Sequence, residues 1–224
     1  MKIRRKLSMG FTLIELLVVI AIIGVLMGIV GPKVFDLLIT SEKTKHSAIV
    51  NSWVTSLVGY KSHYGYFPPF LYENEEGVPV LVDSDEQHDS FLASMKGKSR
   101  NGDSGAWESL SESLQNQNTE MKEFHSFTEN EFNSDGKIIG YGNLHILIDQ
   151  DGDGSISLGD DIVDDILDSL SQDYSADQID DVDRDLFGVV NQPIIIFVIQ
   201  NPTAETDEEE VVNVFSWNIE KYFD

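Results

Sequence analysis

The densest chemistry in this chain lies at Asp149-Gln150-Asp151-Gly152-Asp153-Gly154-Ser155-Ile156-Ser157-Leu158-Gly159-Asp160. Counted from Asp149, carboxylates fall at positions 1, 3, 5 and 12. Glycine stands at 6, the main-chain carbonyl of Ser155 at 7 and the Ser157 hydroxyl at 9. A twelve-residue calcium loop draws its oxygen ligands in that order. A spacing of two aims alternate side chains at one point, and hard oxygen donors suit Ca²⁺. Gly154 permits the sharp turn, and Ile156 can tie the loop to a core. The expected metal ligands are Asp149, Asp151, Asp153, Ser155, Ser157 and Asp160, and the expected cofactor is calcium. Position 12 is Asp rather than the usual bidentate Glu, a shorter arm that leaves bidentate closure open and points to modest affinity. Asp161 stands next to it to assist or substitute. The residues before the loop, Leu144–Ile148, read as a strand rather than an entering helix, so a paired helix–loop–helix sensor is not expected.

Other spacings offer less. Asp181-Val182-Asp183-Arg184-Asp185 repeats the 1, 3, 5 carboxylates but carries Arg184 and is followed by Leu186 instead of Gly, which reads as a charged face. Gly102-Asp103-Ser104-Gly105 matches the short peptide around a serine nucleophile. A triad also needs a His, an acid and an oxyanion hole, and the surrounding residues do not supply the usual setting. His46, His63, His88, His125 and His145 are scattered and there is no cysteine, which argues against zinc. No phosphate-binding loop or dinucleotide fingerprint is present. The chain is therefore expected not to be an enzyme, with a serine hydrolase around Ser104 as the weakest alternative.

The start of the chain carries a second pattern. Lys2, Arg4, Arg5 and Lys6 lead to Gly10, and Phe11-Thr12-Leu13-Ile14-Glu15 follows at once. Phe11 to Val30 is twenty residues with a single charge, Glu15. At 1.5 Å per residue that run reaches roughly 30 Å, the thickness of a bilayer core. The basic leader would stay cytoplasmic and the rest would be exported. An ordinary secretory signal has a shorter apolar core, with its small-residue cleavage site after it; here the small residue comes before the run. A carboxylate inside a span costs roughly 2.5–3.5 kcal/mol on insertion scales. An uncleaved signal anchor leaves Glu15 without a reason.

Gly10-Phe11-Thr12-Leu13-Ile14-Glu15 resembles the processing site of type IV prepilins and of the pseudopilins of type II secretion. The resemblance covers about Met1 to Tyr66. It implies that a membrane-embedded prepilin peptidase cuts after Gly10 and methylates the new amine on Phe11. It also implies that Glu15 lies near the N-terminal amine of a neighbouring subunit in a filament. Many type IV pilins close their C-terminal region with a disulfide, which this chain cannot form. Pseudopilins similar to the major subunit of type II secretion lack that disulfide and carry a calcium site, so the absence of cysteine leans towards them.

These patterns need elements to hold them. Val34, Leu37, Leu38, Ser41, Ala48, Ile49, Trp53, Leu57 and Tyr60 recur mostly at spacings of three or four, which predicts one long helix from Thr12 to about Tyr64. Gly31-Pro32 marks a place where it could loosen. Gly65 and Pro68-Pro69 end it. Two short helices are expected at Asp89–Met95 and Trp107–Gln117, with a loop from Lys96 to Gly105 between them. Asp160–Leu170 reads as a helix with Ile162, Val163, Ile166, Leu167 and Leu170 on one side. Leu144–Ile148, Pro193–Ile199 and Val211–Trp217 read as strands. The acidic Thr203–Glu210 turn would join the last two as a hairpin. Trp53, Trp107 and Trp217 are expected in the core.

The organisation expected is a leader at 1–10, a transmembrane or filament-core helix at 11–30, its amphipathic continuation at 31–66, a variable region at 67–135 and a β-rich region with the calcium loop at 136–224. The fold class is α+β and pilin-like, a long N-terminal helix packed on a small C-terminal antiparallel sheet. The chain has 224 residues and a net charge of −24. Loss of the leader, with four basic and no acidic residues, would leave 214 residues at −28. Such acidity argues against nucleic acid as a partner.

The expected function is that of a pseudopilin-like subunit of a type II secretion pseudopilus. Its partners would be its own copies and other pilins, the prepilin peptidase, an inner-membrane assembly platform and the membrane itself. It would sit first in the inner membrane with its C-terminal domain periplasmic, then in a periplasmic pseudopilus or surface filament. The alternatives are a type IV pilin for adhesion, motility or DNA uptake, and a signal-anchored calcium-binding or cohesin-docking module.

Overall fold

The computed structural model describes residues 13–102, 104–199 and 213–223, with residues 29–39 and 172 described by backbone alone. The processing-site residues Gly10 and Phe11 and the acidic turn Thr203–Glu210 lie outside the described residues. The chain divides at Glu42/Lys43 into two compact units. Helix α1 spans Leu13–Tyr64, 52 residues, and continues through Gly31 and Pro32.

Within the first unit, the described apolar side chains from Leu13 to Met27 are exposed. Glu15 stands in the first turn of α1. Among the described residues no helix is long and apolar enough to cross a membrane. The span expected at Phe11–Val30 extends at both ends onto residues whose side chains are not described.

The second unit begins with the C-terminal part of α1 and continues through β1 (Val80–Leu81), α2 (Asp85–Lys96), β2 (Ser99–Arg100), β3 (Trp107–Glu108) and β4 (Leu144–Ile148). Then come β5 (Ile156–Ser157), α3 (Asp160–Ser169), α4 (Ala176–Asp180), α5 (Arg184–Phe187), β6 (Val189–Val190), β7 (Ile194–Val198) and β8 (Val214–Phe215). Four strands form an antiparallel sheet in the order β1-β4-β7-β8. Its centre is the five-residue pairing of β4 with β7, from Leu144↔Val198 to Ile148↔Ile194.

Both faces of this sheet are covered. Leu144, Ile146, Ile148, Ile194, Ile196 and Val198 join a core with Val50, Trp53 and Leu57 of α1 and Phe91, Leu92 and Met95 of α2. The intervening Leu147, Ile195 and Phe197 join a second core with Val163, Ile166 and Leu167 of α3 and with Phe215 and Trp217. Successive strand side chains point to opposite faces, so a strand buried on both sides is apolar throughout. That is why β7 reads Ile-Ile-Ile-Phe-Val. An antiparallel sheet more often leaves one face wet; here the acidic segment carrying α3 covers it. In α3 the apolar stripe of Val163, Ile166 and Leu167 faces inward, and Asp161, Asp164, Asp165 and Asp168 stay exposed.

The segment 67–135 departs from expectation. The first short helix is longer than Asp89–Met95: it starts at Asp85, where Ser84 Oγ accepts the Gln87 N–H. The second, Trp107–Gln117, does not form as an α-helix. Trp107–Glu108 is a strand paired with Ser99–Arg100, which lies in the expected loop, and only Glu112–Gln117 coils, as a 3₁₀ helix. Leu110 and Leu114 are the only aliphatic residues between Glu108 and Gln117, too few for an apolar helix face. Trp107 instead stacks on Phe127, 5.6 Å between centroids, and is half-buried. Asn118, fully buried, anchors the region. Its Oδ1 accepts Tyr64 Oη at 2.8 Å and Lys122 N at 3.0 Å, and its Nδ2 donates to the Ser94 and Lys122 carbonyls.

Candidate functional site

The aspartate loop hangs between two fixed ends. Strand β4 ends at Ile148, and Asp149 N donates to the Pro193 carbonyl at 3.1 Å. At the far end β5 pairs with β6, Ile156↔Val190, and Leu158 N donates to the Gly188 carbonyl at 2.7 Å. Ile156 is buried in the second core, as its position in the loop requires.

Between these ends Asp149, Asp151 and Asp153 each present a carboxylate oxygen, all within 4.8 Å of one another. Asp149 is buried and the other two are exposed. Its Oδ1 accepts Gly152 N at 2.7 Å and its Oδ2 accepts Gly154 N at 3.1 Å. Asp151 Oδ1 accepts Asp153 N at 3.0 Å. Asp153 Oδ1 accepts both the main-chain N–H and the hydroxyl of Ser155, at 2.7 and 2.8 Å, and these bonds hold its carboxyl below the usual range. Gly154 has φ +93, a conformation that costs an L side chain strain, so the sixth position needs glycine.

Three of the six expected ligand positions thus converge as carboxylates, and Ser155 is tied to one of them. Ser157 lies in β5 with an exposed side chain. Asp160 is not in the gathered set. It opens α3 as its first residue after Gly159 as N-cap, where a carboxylate meets the positive end of the helix dipole. The shorter aspartate arm goes to the helix start. Asp181 to Asp185 is a charged surface: Asp183 accepts Leu186 N and caps α5, and Arg184 pairs with Asp164.

His88 and His145 serve packing. His145 is half-buried and stacks on Phe197, ring centroids 4.8 Å apart, and Nδ1 donates to the Asn143 carbonyl at 3.0 Å; desolvation lowers its pKa. His88 Nε2 accepts Ile138 N at 3.2 Å. Ser104 is exposed, and its Oγ accepts Ala106 N at 3.3 Å with no bonded histidine. A Ser–His–carboxylate chain does occur elsewhere, at Ser56, His125 and Glu131, with separations of 3.1 and 2.7 Å. All three are buried, and the Ser56 hydroxyl donates to the Ser52 carbonyl, so the chain is a core network. Its members lie 69 and 6 residues apart, and no sequence pattern marks them.

Residues 10–31 match the family model described as the prokaryotic N-terminal methylation motif. That motif is characteristic of the leaders of type IV pilins and pseudopilins. No curated protein and no solved structure gives a match to the chain. The motif supports a type IV pilin-like or pseudopilin protein, and the α+β architecture, an N-terminal helix followed by helices and a small antiparallel sheet, is consistent with a pilin-like fold. A leader of this type implies processing by prepilin peptidase, membrane anchoring and then assembly with other pilins. Structural subunits of this kind are in general not enzymes.

Proposed function

We propose that the chain is a pseudopilin-type structural subunit, cut after Gly10, methylated on Phe11 and assembled into a type II secretion pseudopilus. The observation that carries this reading is the methylation motif at residues 10–31. Absence of cysteine and the aspartate loop favour the pseudopilus over a type IV pilus. Glu15 accepts the methylated amine of a neighbouring subunit, which offsets the cost of its burial only in the assembled filament. The chain itself is not catalytic, and an assembly motor elsewhere supplies the force. The inner membrane is its first location and the periplasmic filament its second.

Calcium is the resident ion of the aspartate loop in this reading. The donor set fits: Asp149, Asp151 and Asp153 bring hard oxygens together, and the Ser155 carbonyl and solvent complete the count. The ion neutralises carboxylates that otherwise repel, which stabilises the C-terminal unit and lowers repulsion between acidic subunits.

The test is the mass of the mature N-terminal peptide from membranes with and without prepilin peptidase. A peptide beginning at methylated Phe11, lost without the peptidase, is the expected result. An intact leader in both would leave a signal-anchored calcium-binding module. Secretion of type II cargo in a strain lacking the chain separates the two filament types: loss of cargo export marks the pseudopilus, and loss of adhesion, motility or DNA uptake alone marks the type IV pilus.

A further inference from the structure

A turn distant in sequence meets the aspartate loop at both ends, by a hydrogen bond at one and a close approach at the other. Gln150, the second residue of the loop, donates Nε2 to the Asn74 main-chain carbonyl at 3.2 Å. At the other end Gly77 lies so close to the loop that a Cβ built on it would stand 2.7 Å from the Ser157 carbonyl oxygen and 3.8 Å from Gly159 N. The backbone at Gly77 has φ +78. The turn is internally closed, with Val78 N donating to the Glu75 carbonyl at 3.1 Å and Asn74 Nδ2 to the Pro79 carbonyl at 2.6 Å. Pro79 leads directly into β1, so the turn is attached to the sheet edge beside β4.

The consequence is mechanical. Carboxylates within 4.8 Å of one another repel, and bracing of the loop's ends adds to its internal bonds in opposing that repulsion. One side of its last residues is held by β6. Gly77 abuts the other side, and the first residues are held by the Gln150–Asn74 bond. A loop braced at both ends keeps its ligands gathered before an ion arrives, and that lowers the ordering cost of binding.

We infer that the Asn74–Val78 turn is the clasp that preorganises the aspartate loop for Ca²⁺, with Gly77 and Gln150 as positioning residues and neither as a ligand. This rests on the calcium reading above. Gly77 acts through the Ser157 backbone, which only a residue without Cβ can approach so closely. Gln150 acts by tying the first residues of the loop to the same turn.

The experiment is calorimetric titration of the full-length chain in detergent with CaCl₂, for the wild type and for Gly77→Ala, Gln150→Ala and Gly65→Ala. Gly65 has φ +84 with nothing within 4 Å of a built Cβ, so its alanine variant carries the same backbone strain away from the loop. Gly77→Ala and Gln150→Ala should each weaken Ca²⁺ binding by about tenfold or more, the usual cost of losing outer support for metal ligands. Gly65→Ala should lower the calcium-free thermal midpoint and leave the Kd unchanged. Wild-type Kd values in both loop variants, or equal weakening in Gly65→Ala, would overturn the clasp and leave the calcium reading standing. No binding by the wild type would overturn both. Gln150→Ala introduces no steric clash, so the result stands even where Gly77→Ala fails to fold.

Discussion

Trp53 Nε1 donates to Glu131 Oε2 at 2.7 Å, joining the long helix to a segment 78 residues further along the chain. The same oxygen lies 2.7 Å from His125 Nε2, and Glu131 Oε1 accepts the N–H and hydroxyl of Thr128 at 2.9 and 3.1 Å. Every lone-pair direction of this buried carboxylate is used, which is what makes its burial tolerable.

Glu131→Ala should therefore destabilise the domain by about 3 kcal/mol or more, because the Trp53, His125 and Thr128 donors lose their acceptor together. A denaturant midpoint measures this. Loss under 1 kcal/mol would show that water replaces the carboxylate.

The same residue sets an acid limit. Burial raises the Glu131 pKa, but the bonds from His125, Thr128 and Trp53 outweigh burial and hold it below the ordinary value of 4.5. A carboxyl depressed in the folded state contributes stability above its unfolded pKa and loses it as pH falls through the folded one. Wild-type stability should drop below about pH 4.5, and the drop should be smaller in Glu131→Gln. Parallel pH profiles would contradict this.

His145 acts in a different window. Burial depresses its pKa from 6.5, so the neutral form is preferred in the folded state. Its contribution is complete above about pH 6.5 and declines as pH falls through its lower folded value. His145→Phe keeps the stack on Phe197 and removes the titration. Stability between pH 6.5 and 5 should be flatter in that variant, as read from thermal midpoints.

Calcium removal should lower the thermal midpoint. An ion present at 100 times its Kd adds about 2.7 kcal/mol, worth about 5–10 °C in a domain of this size. Asp149→Asn should abolish the difference between calcium and chelator, since Asp149 is the buried carboxylate of the set. An unchanged midpoint in the wild type on chelation would remove calcium from the loop.

Glu15→Val should insert and be processed but assemble poorly, because the amine of the neighbouring subunit would lack its partner. Pelleting of sheared filaments against total processed subunit measures this. Normal filament yield would remove the role given to Glu15.

Several elements were legible before any fold was known. The stripe of Trp53, Leu57 and Tyr60 lies on the buried face of α1, as its spacing requires. Leu144–Ile148 is β4 as expected, and the run from Pro193 contains β7. Of the strand expected at Val211–Trp217, Val214–Phe215 is present as β8, paired antiparallel with β7. The segment from Trp107 to Gln117 misled because polar residues without an apolar stripe leave helix and strand nearly degenerate, and Trp107 was decided by its contact with Phe127.

What the sequence by itself determined is local chemistry. The methylation motif is a contiguous run recognised as a peptide, and a spacing of two with a glycine at 154 aims Asp149, Asp151 and Asp153 at one point. Tertiary structure decided the rest. It covered the second sheet face with α3 and buried Glu131 under Trp53. It also laid the Asn74–Val78 turn on a loop more than seventy residues away. Those outcomes depend on contacts between segments that share no local pattern, and their energies appear only once the chain has closed around its two cores.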